Sequence, residues 1–135
     1  MKELCVDAAI ENIEMVTEFV NKQLEKLHCL PRIQHQIDVA VDELFSNIAL
    51  YAYRSQKGKV TVQVEVIENP LCVNICFIDN GVPFNPLAKE NPDIMLSLEE
   101  RPIGGLGIYI VKKSMDSVSY AYKDGQNIVQ IQKRL

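Results

Sequence analysis

From Ile10 onward the apolar positions Ile13, Val16, Val20, Leu24 and Leu27 recur at three and four residues, with Glu11, Glu14, Glu18, Lys22 and Lys26 on the other side. That period predicts an amphipathic helix, and Pro31 places its end near His28-Cys29-Leu30, since proline disfavours helical geometry in the preceding residue and suits the first turn of a new helix. A second helix is predicted from about Pro31 to Tyr53, with Ile33, Ile37, Ala40, Val41, Leu44, Ile48 and Ala49 as its apolar stripe. Beyond a turn at Ser55-Gln56-Lys57-Gly58 the period drops to two. Val60, Val62, Val64 and Val66 alternate with Thr61, Gln63 and Glu65, and after Glu68-Asn69-Pro70 so do Leu71, Val73, Ile75 and Phe77 with Cys72, Asn74 and Cys76. Two strands joined so closely pair antiparallel. A long loop follows, and then Leu106, Ile108, Ile110, Val111 and Met115 support a third helix ending near Met115-Asp116. Val118, Tyr120 and Tyr122, a hairpin turn at Lys123-Asp124-Gly125-Gln126, and Val129 with Ile131 complete the chain as two more strands, and Glu3 to Asp7 could form a short first strand.

That order of elements argues a two-layer α/β sandwich, a mixed and mostly antiparallel sheet with helices on one face. Its 135 residues, with no internal repeat or linker, are expected to form a single domain spanning 1–135. A net charge of −4 without a basic run argues against nucleic acid and an anionic membrane as partners. The start of the chain lacks the apolar stretch of a signal peptide and no segment is long enough to span a bilayer, so the expected location is cytoplasmic. Cys5, Cys29, Cys72 and Cys76 are too dispersed for a zinc site and are expected to be reduced and mostly buried.

Three stretches carry candidate chemistry. Glu43 and Asn47, four residues apart, stack on one helix face beside Leu44 and Ile48, where a carboxylate and an amide oxygen suit a hard cation or a positioned water; taken alone the pair reads as a solvated face. Asp79-Asn80-Gly81 ends the second alternating strand and could be turn chemistry, but Pro83 and Pro86 prevent an immediate further ladder strand. Gly104-Gly105-Leu106-Gly107 runs straight into a helix, which makes it either a hinge or a phosphate-binding loop. The segment from about Leu87 to Pro102 between them has the length and polarity of a lid.

The order of these three stretches resembles the Bergerat-type nucleotide-binding fold shared by gyrase, Hsp90, histidine kinases and MutL. Ala40 to Tyr53, Asp79 to Pro86, Gly104 to Gly107 and Gly125-Gln126-Asn127 are similar to the bacterial anti-sigma factor serine kinases of the RsbW and SpoIIAB type, over nearly the whole chain. The resemblance implies ATP and Mg²⁺ as cofactors. It implies that Asn47 ligates the metal, Glu43 accepts or orients the proton of an attacking serine, and Asp79 with Gly81 receives the adenine. Gly104, Gly105, Leu106 and Gly107 would cradle the phosphates, and Arg101 would reach the terminal one. The implied partners are a sigma factor, a STAS-type anti-sigma antagonist that is phosphorylated, and a second copy of the chain in a homodimer. Pro83 stands where the wider family often has a second glycine, and Tyr51 where related kinases often have histidine. Two other functions fit the same residues: an interaction module that binds ATP without transferring phosphate, and a stand-alone histidine-kinase-like domain. Glu43 favours the enzyme, because nucleotide binding alone needs no base.

Overall fold

The computed structural model of the chain describes residues 1–53, 56–88 and 105–135. Among the described residues five strands form one sheet in the order β1-β2-β3-β5-β4, with β1 Lys2–Asp7, β2 Lys59–Ile67, β3 Cys72–Asp79, β4 Ser117–Lys123 and β5 Gln126–Arg134. Each pairing among them is antiparallel, so the sheet is more regular than the mixed one expected. The helices α1 Ile13–Leu24, α2 Pro31–Asn47 and α3 Gly105–Ser114 cover one face. Among the described residues no helix is long and apolar enough to cross a membrane.

Alternation puts Val60, Val62 and Val64 of β2, Val73, Ile75 and Phe77 of β3, and Val129 and Ile131 of β5 on the helix side, where all are buried. Val16, Val20 and Leu24 of α1, Ile37, Ala40, Val41 and Leu44 of α2, and Ile108 and Val111 of α3 close the core from above. Phe45, outside the predicted stripe of α2, is fully buried because this helix is flanked by α1 on one side and α3 on the other and buries a wider arc than a surface helix. Val66 departs from its predicted burial and is 37% exposed.

The helix ends differ from the sequence reading in two places. The first helix begins and ends in single 3-10 turns, Ile10–Asn12 and Glu25–Leu27, and His28 takes the left-handed φ of 52° that stops it. The second ends as an α-helix at Asn47 and continues as one π-helical turn, Ile48–Ala52. The extra residue in that turn swings Ala52 and Tyr53 toward the end of β3. At the β4–β5 hairpin Asp124 and Gly125 have φ of 54° and 76°, the pair of left-handed values a tight two-residue turn requires. Of the cysteines, Cys72 is buried, Cys29 and Cys76 are half-buried and Cys5 is exposed, all four as free thiols, so the expectation of mostly buried cysteines is corrected. Cys5 sits on the sheet face away from the helices, on an edge strand.

Candidate functional site

Asp79 is the last residue of β3 and continues the inward alternation of Val73, Ile75 and Phe77, which is why a carboxylate is only 3% exposed. Its Oδ1 accepts the Gly81 backbone N–H at 2.9 Å and the Asn127 Nδ2–H at 2.9 Å. Burial raises the carboxyl above its usual range, against the pull of those two bonds.

Asn127 is the functional residue that the sequence reading left without a role. It faces Asp79 directly across the β3–β5 ladder and is 2% exposed. Its two amide hydrogens go to Asp79 Oδ1 and to the Val82 carbonyl at 2.8 Å, and its oxygen accepts the Phe84 N–H at 3.1 Å and the Tyr120 hydroxyl. An amide can make four such bonds and this one makes all four. It thereby fixes both the carboxylate and the loop that follows it. An inward polar residue opposite an inward aspartate was the available signal, but it needs the strand register.

The loop is held from the helix side as well. The Val82 N–H donates to the Ala52 carbonyl at 2.8 Å, and a Cβ on Gly81 would stand 2.2 Å from that same oxygen. Gly81 is therefore required for space against the π turn. Phe84 packs on Tyr51 with ring centroids 5.7 Å apart. The Tyr53 hydroxyl donates to the Lys59 carbonyl at 2.6 Å and accepts the Asn80 N–H at 2.8 Å, and its ring lies so close over Gly58 that a Cβ there would meet it at 2.2 Å. Tyr53 thus joins the start of β2 to the end of β3. Tyr53→Phe leaves that amide and carbonyl without their partner and is expected to cost about 1–2 kcal/mol, read as a lower urea midpoint at unchanged slope.

On the other side of the π turn, Asn47 is 7% exposed and its Nδ2 donates to the Glu43 carbonyl at 2.7 Å. That bond engages the nitrogen end of the amide, so the oxygen, the end that hard cations prefer, is not spent on the helix. The Glu43 side chain is half-buried and lies against the first turn of α3: a Cβ on Gly107 would stand 2.0 Å from Glu43 Oε2. Glycine at 107 is what lets a carboxylate sit on the helix there. Leu106 is 38% exposed and Gly105 opens α3. The N–H groups of that first turn have no acceptor within the helix, and they and the dipole behind them favour an anion.

Contacts consequently run from Gly107 to Glu43, from Glu43 to Asn47, along the π turn to Ala52, from Ala52 to Gly81 and Val82, and from Gly81 through Asp79 to Asn127. Gly104, Arg101 and nearly all of the expected lid at 87–102 lie outside the described residues. Among the described residues no three His, Cys, Asp or Glu side chains gather to hold a metal unaided. A cation here would need phosphate or water for most of its shell, which fits Asn47 as a single protein ligand.

Comparisons with known proteins place the family and the fold. The family model described as "Histidine kinase-like ATPase domain" matches residues 6–133. The serine-protein kinases RsbW of Bacillus cereus (strain AH820) and Bacillus mycoides (strain KBAB4) are each 32% identical over 95 residues, 67% of this chain and 58% of the relative. The chain therefore matches little more than half the length of these relatives. Among solved structures, that of the RsbU and RsbW domains of Rv1364c from Mycobacterium tuberculosis superposes with a TM-score of 0.68 at 16% identity, covering 100% of this chain and 33% of that one. The histidine kinase domain of the Erythrobacter litoralis EL346 blue-light activated histidine kinase gives 0.56 at 13% identity, covering 93% and 60%. These two share the fold, and the family match over residues 6–133 settles membership: the chain belongs to the histidine kinase-like ATPase domain family.

Proposed function

We propose that the chain is a cytoplasmic, ATP-dependent protein serine kinase that also acts as an anti-sigma factor. In this reading it works as a homodimer, sequesters a sigma factor and phosphorylates a serine on a STAS-type antagonist. The observation that carries the proposal is the placement of Glu43, a carboxylate seated in the space that Gly107 leaves at the anion-favouring end of α3 and one helical turn from Asn47. The RsbW kinases among its relatives support the choice of chemistry.

Each residue then has one duty. Asp79 Oδ2, which takes no part in the bonds to Gly81 and Asn127, accepts the exocyclic amine of adenine, while Asn127 holds the carboxylate in place. The amide groups at the start of α3, at Gly105, Leu106 and Gly107, bind phosphate oxygens, with Gly104 and Arg101 completing the cradle from outside the described residues. The Asn47 oxygen would hold Mg²⁺, whose chemistry when bound is to neutralise phosphate charge. Glu43 takes the proton of the attacking serine hydroxyl and orients that oxygen for in-line displacement.

The direct test is transfer of label from ATP to the serine of a co-encoded STAS protein. Labelled antagonist supports the kinase, and tight ATP binding without transfer supports the non-catalytic module instead. A companion measurement addresses the metal. Asn47→Ala is expected to lower ATP affinity about tenfold or more in the presence of Mg²⁺, and much less in its absence. Equal calorimetric affinities for the variant and the wild type with Mg²⁺ would remove Asn47 from the site.

A further inference from the structure

A groove of about 540 Å³ runs between the start of α1 and the middle of α2, on the α1 side of α2. Its lining has an apolar part, Ile10, Ile13 and Val39, and Ile10 is 45% exposed despite belonging to the amphipathic segment. Beside Thr17 the rest of the lining is acidic, with Glu11 and Glu14 from the first helical segment and Asp38 and Asp42 from α2. No lysine or arginine borders it among the described residues. The hydrogen-bond donors recorded for Asp38 and Asp42 are Gln34 and Ser46, neutral side chains of the same helix, so nothing in those bonds offsets the negative field.

We propose that this groove docks a basic amphipathic helix of a partner protein, its apolar side on Ile10, Ile13 and Val39 and its lysines or arginines against the four carboxylates. Charge complementarity selects the occupant: a groove lined by apolar side chains and carboxylates of one sign rewards a segment that brings both apolar area and the opposite charge. A second copy of this chain is a poor match, because it carries a net charge of −4 itself. Asp42 immediately precedes Glu43 along α2, about 100° round the helix from it, so a partner seated in the groove lies on the α1 side of α2 while the carboxylate assigned to proton removal faces α3. The inference rests on the reading that the chain acts on another protein, though not on phosphotransfer itself.

The test uses two fluorescent peptides, a helix-forming Leu/Lys sequence with leucine at i, i+3 and i+4, and its Leu/Glu counterpart. Anisotropy titrations against the full chain are expected to show the Lys peptide bound about tenfold or more tightly than the Glu peptide at about 50 mM salt, with the gap narrowing at about 300 mM. The double reversal Glu14→Lys/Asp38→Lys should abolish that preference. Glu65→Lys/Glu68→Lys, with the same change in net charge on the β2 side of the molecule, should leave it within about twofold. Equal loss in both double variants means general charge attraction and overturns the proposal, as does equal binding of the two peptides by the wild type. A change of oligomeric state in the groove variant alone would make a second copy the occupant and overturn it too. ATP affinity in all three proteins reports that the fold is intact, and a missing kinase activity would leave the peptide result unaffected, so the two readings fail separately.

Discussion

Asp79→Asn is expected to lower nucleotide affinity about a hundredfold while leaving the folded chain at least as stable at neutral pH. The affinity loss follows from polarity. The wild-type carboxylate can only accept, whereas the asparagine amide keeps Oδ1 for Gly81 and Asn127 and turns an N–H₂ donor toward the donor of the base. The stability expectation follows from burial. Asp79 is 3% exposed, and desolvation raises its folded pKa above the ordinary carboxylate range. A carboxyl with a raised folded pKa binds its proton more tightly in the native state than in the unfolded one. Its favourable contribution is therefore fully present below the unfolded pKa and is lost as pH rises from about 4 through the folded value. Ionising the buried group carries a cost that asparagine does not, so wild type should lose stability relative to the variant as pH rises through that window. Urea midpoints between about pH 4 and pH 7 read this slope, and calorimetry reads the affinity. Undiminished affinity would take Asp79 out of base recognition. A variant less stable at neutral pH would mean that the charged hydrogen bonds outweigh the desolvation.

Glu43→Gln is the second large effect, expected to reduce the transfer rate by about 10²–10⁴ with ATP affinity within a few-fold of wild type. Glutamine has nearly the same shape, so the contact with Gly107 is kept and only the base is removed. Gly107→Ala makes the complementary change. It keeps the carboxylate but demands space 2.0 Å from Oε2, so the side chain or α3 must shift. Both variants should lose transfer, and only the alanine variant should also weaken phosphate binding at the start of α3. Wild-type transfer rates in Glu43→Gln would reduce Glu43 to a packing partner of α3 and leave the ATP-dependent interaction module as the better description.

Much of the fold was legible in the chain because its two periods are clean. Stripes at three and four residues marked α1, α2 and α3, and the alternation of Val60 to Val66 and of Val73 to Phe77 marked β2 and β3. The same alternation determined that Asp79, two residues past Phe77, would face inward, and the spacing of Glu43 and Asn47 determined that they share a helix face. These are local properties, set by backbone geometry over fewer than ten residues. What the tertiary structure decided are the contacts between segments far apart in the chain. The β3–β5 register put Asn127 opposite Asp79, the packing of α3 on α2 put Glu43 on Gly107, and the π turn put Ala52 against Gly81 and Tyr53 under Asn80. No periodicity encodes such pairings, because each depends on how two complete elements settle against the shared core and only then on which side chains meet.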